Sequence, residues 1–330
     1  MVARRRLIQG AGVAGLGLVF GLGSGSARAS VPSTGRFDLN QASSKLIREK
    51  RLQNSTVMQS FAFDNVNDRI YMVQLMQGGI KLPGEPAAVS GATRAANGDL
   101  CVTQLDLAGT NKGFMYLKHF GHGVQIGVEQ VGLGAPPFLW TEVDAVNEGG
   151  TGWGTRLARF RFAPGSVLVN TAVDERRVLI PGSDRTTCAV DPWYPRLLMR
   201  YRRAGQLRFA LFSIDDVKRG VYTALCDVAQ PAGLKEFQGY AVYGSFLYLL
   251  CGQAHDPDTQ IVCVDLNSGA KVADVVTHAA SSLTFREPEG MAVQLTNAAD
   301  PASARLCMGF ADGVSGARNA SIYYKNPAFV

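Results

Sequence analysis

A chain of 330 residues with 46% hydrophobic content can bury a large core, and its length suits one large all-β domain. Its formal charge is +6, but Arg4, Arg5, Arg6 and Arg28 lie in the first 29 residues, which carry no acidic residue, and beyond them 29 basic residues face 27 acidic ones. That balance of about +2 gives no ground for nucleic-acid binding, and no segment after residue 29 is long and apolar enough to span a bilayer.

Residues 1–29 read as an export signal. Arg4-Arg5-Arg6 leads into Leu7-Ile8, a glycine-rich apolar run follows over 10–23, and Ala27-Arg28-Ala29 offers a small-x-small cleavage site. Paired arginines before Leu-Ile suit the twin-arginine route, which carries folded cargo out of bacteria. The apolar run is short and glycine-rich for a membrane anchor, so the expectation is a secreted protein with no stable membrane insertion after cleavage.

Residues 30–55 read as a loose tail followed by a helix. Ser30–Gly35 has tail composition, and Leu39–Leu52 (LNQASSKLIREKRL) has helical composition with a charged face. From 56 to 330 the pattern is strand, turn, strand: SFAFD, RIYMVQL, DLCVTQLDL, GFMYLKHF, TRLARFRF, LRFALFSI and YAVYGSFLYLLC are short, rich in β-branched and aromatic residues, and punctuated by Gly, Pro, Asn and Asp. Few helical patterns intervene, which disfavours a parallel α/β sheet.

One grammar recurs: a polar residue, a small residue, then a strand. It stands at Gln59-Ser60, His122-Gly123, Gln238-Gly239 and Glu289-Gly290. These read as the starts of innermost strands in a five-bladed β-propeller of four-stranded antiparallel blades. The wide gap between 122 and 238 leaves room for a fifth unit, whose outer part could include Thr171–Ile180. Five units over about 270 residues give about 54 each, against the 40–50 usual for such blades, so a β-sandwich or another blade number stays open.

The six cysteines form no CxxC or CxxH spacing, so no zinc site is expected. In an exported protein they permit disulfides, and Cys251 and Cys263 flank one turn; buried thiols are the alternative. His119 and His122 lack an assignable third ligand, and no cofactor fingerprint, phosphate loop or GxSxG motif is present.

A propeller turns the polar starts of its inner strands toward one funnel. Gln59, His122, Gln238 and Glu289 are therefore candidate funnel residues, with Arg286 and Glu287 beside the last. Filling the channel and binding water is their plain alternative role. His122 lies between two glycines and suits a general base or anion contact. Glu142 and Glu289 are the candidate carboxylate pair for glycoside hydrolysis. His122 or Tyr240 is the candidate base of a polysaccharide lyase. Arg156 and Arg286 could hold an anion, and Trp153 and Tyr240 could stack on a sugar ring.

Taken together, QSFAFDNVNDRIYMVQL, GDLCVTQLDL, FGHGVQIGVE, LWTEVDA, WGTRLARFRF and REPEGMAV resemble a family of exported actinobacterial proteins labelled teichoic acid biosynthesis protein C. That family is similar to the propeller domain of receptor-binding proteins of staphylococcal phages. The resemblance covers most of residues 56–325 and supplies no catalytic set. It implies a five-bladed propeller associated with cell-wall glycopolymers or other surface polysaccharides. The expectation is a monomeric exported propeller, without cofactor, that binds an anionic polymer such as teichoic acid in its funnel. The alternative is a secreted glycoside hydrolase or polysaccharide lyase using the same funnel.

Overall fold

The structure, a computed structural model, describes residues 30–330. The expected export signal lies outside them. Five sheets are arranged as the blades of a propeller; four are antiparallel and four-stranded, and the first adds to its four antiparallel strands a short parallel fifth, Val167–Val169, beside Asn111–Lys118. Their innermost strands are Met58–Asp64, Gly127–Glu129, Asp184–Val190, Phe237–Tyr243 and Glu287–Leu295, for blades 1 to 5 in order. Each inner strand packs beside the next, and the fifth returns to the first.

Apolar side chains cover both faces of the blades. One large buried cluster lies between each pair of neighbouring blades; between blades 4 and 5 it joins Tyr248, Ile261 and Cys263 to Met291, Leu306 and Phe310. Central strands such as Phe246–Cys251 are therefore apolar almost throughout, since neither face meets water.

Residues 39–52 are not helical. Ser43–Arg51 is a strand, the outermost of blade 5, paired antiparallel with Ala317–Lys325. Only Ile47 in it is buried. The charges that suggested a helix face instead occupy an outer sheet edge, where they oppose strand-to-strand association. The blade is thus closed by the N-terminal segment, and tertiary pairing overrides local propensity.

Two further expectations change. Glu175–Arg177 is the outer strand of blade 2, paired with Arg156–Arg161, rather than part of a separate unit. Cys251 and Cys263 do not meet: Cys251 lies opposite Gln260, Cys263 lies opposite Tyr248, and they enter different inter-blade clusters. All six cysteines are buried free thiols.

The central axis is plugged. Ala62, Ala189, Ala241 and Ala292, one from each of four inner strands, pack so closely that a cavity of about 20 Å³ remains, room for about one water. Gln125 spans this region and donates to the Met291 carbonyl at 3.1 Å. The plug separates the two ends of the propeller, and the sequence candidates Gln59, His122, Gln238 and Glu289 lie at the end where the inner strands begin.

Candidate functional site

At that end the strand starts are bulged. Pairing registers skip Gln59 in blade 1, Arg185-Thr186 in blade 3, Gln238 in blade 4 and Glu289-Gly290 in blade 5. A bulge leaves one residue unpaired and re-aims its side chain. In blades 1, 4 and 5 the polar member of the sequence grammar is this bulged residue; His122, expected at a strand start, lies instead in the loop that leads into Gly127–Glu129.

The small member has its own cause. A Cβ on Gly239 would stand 2.6 Å from the Gly290 Cα, and one on Gly290 would stand 2.7 Å from the Ser60 Cα. Ser60 in turn donates its hydroxyl to the Gly123 carbonyl at 2.6 Å. Blades 4, 5, 1 and 2 are thus drawn together at residues too small to keep them apart.

A cleft of about 590 Å³ opens above this ring. Gln59, His122, Gln238, Glu287 and Glu289 line it, together with Glu236, Gln77 and Arg318. Its wall comes from a segment inserted in blade 1, where Gly91–Asn97 is a short helix capped by Ser90 and presents Gly91 and Ala95. Arg94 of that helix is fully buried. It donates to Glu85 at 2.6 Å, to Asp99 at 2.8 Å and to the Ile80 carbonyl at 2.9 Å, which fixes the wall to the blade.

The lining groups have unused hydrogen-bonding capacity. Gln238 donates to the Gly252 carbonyl at 2.9 Å, leaving its amide oxygen available. Among the described residues, the Gln59 amide and the Glu289 carboxyl have no hydrogen-bond partner, although Glu289 is only 6% exposed. Burial, and then the charges of Glu287 and Glu236, push Glu289 well above the usual carboxylate range. Burial also raises Glu287, while Arg318 pulls it down. His122 Nδ1 is sealed without a partner, and burial holds the imidazole down at about 4, so the ring is neutral at pH 7.

The remaining sequence candidates stand elsewhere. Glu142 is buried beneath the cleft, where its two oxygens accept the N–H groups of Gly123 at 2.7 Å and Gly154 at 2.8 Å. It braces the loop that carries His122 and does not line the cleft. Trp153 lies against His122, with 4.9 Å between ring centroids. Arg156 is on the surface beside Asp144 at 3.4 Å. Tyr240 is sealed between blades 3 and 4, its hydroxyl accepting the Arg200 N–H and bonded to Thr187, so it offers neither a base nor a stacking face. Arg286, at φ 45°, turns away from the cleft, and its guanidinium is occupied by Ala279, Asp256, Thr259 and Thr277.

Sequence reasoning missed Glu236, although a signal was present. Glu236-Phe237-Gln238-Gly239 and Glu287-Pro288-Glu289-Gly290 share the pattern Glu-x-Gln/Glu-Gly at the same point of two blades. It also missed the blade 3 bulge, where Arg185 and Thr186 stand outside the polar-small pattern.

Five blades around a plugged axis, with a polar cleft at one end, define the class: a five-bladed β-propeller. The chain belongs to the phage 5-bladed β-propeller receptor-binding platform domain family, which matches residues 57–324. A protein of Bacillus subtilis (strain 168) named "Putative major teichoic acid biosynthesis protein C" is 27% identical over 301 residues, which cover 87% of this chain and 63% of that protein. The tail fiber of Staphylococcus aureus phage P68 shares the fold, with a TM-score of 0.67 and 19% identity over 88% of this chain and 54% of that one. The chain thus spans less than two thirds of either relative.

Proposed function

We propose that this propeller acts outside the cell membrane and binds a cell-surface glycopolymer of the teichoic acid type, taking a sugar unit of it in the cleft. The observation that carries the reading is the convergence of Gln59, Gln238 and Glu289 from three blades, and of His122 from the loop leading into a fourth, with hydrogen-bonding groups unused by the protein. Such groups match the alternating donors and acceptors of a polyhydroxylated ring. The name of the Bacillus relative and the receptor-binding description of the family support the polymer class. The export pattern of residues 1–29 supports the location.

Purified residues 30–330 tested for retention on a panel of wall teichoic acids and acidic polysaccharides decide the matter. At least one polymer is expected to be retained, and Gln59→Ala and Gln238→Ala are each expected to weaken retention about tenfold, the loss of one or two hydrogen bonds. Retention on no polymer, or retention indifferent to both substitutions, overturns the reading.

Glu289 favours a second reading, a carbohydrate-active enzyme on the same cleft. A buried carboxyl pushed well above the usual carboxylate range is what a general acid needs. Its partner would be Glu236 or Glu287, because Glu142 is committed to backbone N–H groups. Released reducing ends, unsaturated sugars or phosphate that vanish in Glu289→Gln would establish this reading.

A further inference from the structure

The cleft lining contains three carboxyl groups, Glu236, Glu287 and Glu289, and one arginine, Arg318. That balance suits a sugar better than an anion. The guanidinium of Arg318 is moreover engaged with the Phe285 ring and the Gly313 carbonyl. The charge of an anionic polymer needs another seat.

Three arginines of the described chain are buried: Arg94, Arg200 and Arg286. Arg94 is held by two carboxylates, and Arg286 by three carbonyls and a hydroxyl. Arg200 differs. Its Nε donates to Gln230 at 3.0 Å, and its guanidinium lies 3.9 Å above the Phe237 ring. Among the described residues it has no carboxylate partner, and neither Nη group has a hydrogen-bond partner. At 7% exposure the residue is nearly enclosed, yet its Nη groups are not sealed from water. Burial lowers its pKa to about 10, with Arg185 as a like charge nearby, so it is still a cation at neutral pH. A desolvated cation with two free donors is costly unless an anion meets it.

Its position ties it to the cleft. Arg200 pairs with Thr187 beside the blade 3 bulge, and Phe237 beneath it stands between the cleft residues Glu236 and Gln238. We infer that Arg200 is an oxyanion seat adjoining the cleft, taking a phosphodiester or carboxylate of the polymer on its two Nη groups while a neighbouring sugar occupies the cleft. The flat fork of two N–H donors fits either oxyanion in a bidentate way. The inference rests on the glycopolymer reading for the identity of the ligand, though not for the seat itself.

Two experiments separate these claims. In the first, thermal unfolding of the folded chain is followed in sodium phosphate, sodium acetate and sodium chloride at matched ionic strength. Phosphate or acetate is expected to raise the midpoint of the wild type above its value in chloride, as a ligand of the native state does. The anion that does so identifies the source chemistry. Arg200→Met should lose the effect while remaining at least as stable as wild type in chloride, and Arg200→Lys should keep part of it. An equal anion effect in Arg200→Met, or none in the wild type, overturns the seat.

In the second, binding of an intact phosphate-bearing glycopolymer is compared with binding of its sugar units after hydrolysis of the phosphodiesters. The wild type should prefer the polymer at least tenfold. Arg200→Met should lose that preference and bind the free sugar units as before. Equal preference in both proteins overturns the seat, whereas failure of the wild type to bind either ligand overturns the cleft reading and leaves the first experiment to decide Arg200.

Discussion

The imidazole of His122 lies against the indole of Trp153, with 4.9 Å between centroids and 34° between planes. Arg185 closes the stack, its guanidinium 4.6 Å from the Trp153 ring. The indole therefore acts as a support for the one histidine in the cleft, and removing it should readmit water to that ring. Trp153→Ala is expected to raise the His122 pKa from about 4 toward its ordinary 6.5 by a unit or more, and to cost about 1–3 kcal/mol through the lost ring contact and burial. Proton NMR titration of the ring measures the first and urea unfolding the second. An unchanged His122 titration would mean that other groups keep the ring dry.

Glu142 and His122 give opposite pH dependences. Burial raises Glu142 from 4.5 to about 7, against the pull of the N–H groups of Gly154, Gly123, His122 and Val124. Between those values the native state keeps a proton that the unfolded chain has released, so stability falls as pH rises from about 4.5 to about 7. His122 is depressed from 6.5 to about 4, so its contribution is lost as pH falls through that range. The two oppose each other over most of the window. His122→Asn should therefore unmask a fall in stability from pH 4.5 to 7, and adding Glu142→Gln should reduce it, leaving the part that the raised carboxyls of Asp191 and Glu289 contribute. Glu142→Gln alone should cost about 1–3 kcal/mol at neutral pH, because its amide NH₂ faces backbone donors. Urea unfolding across that range tests both statements, and a slope undiminished by Glu142→Gln would refute the assignment.

The propeller was legible because its strands are short, apolar and turn-punctuated, and because the polar-small-strand grammar is itself physical. Gln59, Gln238 and Glu289 line the cleft because a bulge requires an unpaired residue and the ring contact requires a small one after it. What escaped depends on partners distant in sequence. Ser43–Arg51 becomes a strand only because Ala317–Lys325 offers it an edge. Arg286 sits beside two cleft glutamates in sequence, yet its left-handed backbone turns it into four other acceptors. Arg200 lies in LLMRYRR, a run that announces a strand, and nothing local shows that this arginine, alone of the three buried ones, lacks an acceptor for its Nη groups.

The cleft wall depends on one buried ion network. Arg94 joins Glu85 and Asp99, and Lys118 adds a third bond to Glu85 at 2.7 Å. Arg94, with Lys118, holds the Glu85 carboxyl down at about 2, so this contribution is present above the ordinary carboxylate range and is lost as pH falls from about 4.5 toward 2. Arg94→Met would leave Asp99 buried without its cation and Glu85 with Lys118 alone, and a loss of about 3–5 kcal/mol is expected. Glycopolymer affinity should fall with it, because Gly91 and Ala95 would no longer be fixed. Hydrogen exchange over 91–97 should rise to the rate of an unprotected segment. Unchanged exchange there would show that the helix is held by its apolar contacts instead.

The N-terminal segment should be indispensable even though the family pattern begins at residue 57. Beyond the blade 5 strand, Phe37 is buried against Tyr243, Tyr248 and Phe329, with ring centroids 5.0–5.3 Å away, and Arg36 exchanges backbone bonds with Val330. Val31, Phe37, Leu39 and Ile47 are all buried. At about 1.5–3 kcal/mol for each such side chain, losing the four removes stability of the order that a whole domain possesses. It also bares the Ala317–Lys325 edge, a template for aggregation. A chain starting at Thr56 is therefore expected to aggregate or unfold at room temperature, and a synthetic peptide of residues 30–55 added during refolding should restore a soluble, cooperatively melting protein. If the shortened chain melts at the same temperature as residues 30–330, the closing strand contributes nothing to the propeller. If it fails and the peptide does not rescue it, the defect lies outside the pairing of Ser43–Arg51 with Ala317–Lys325.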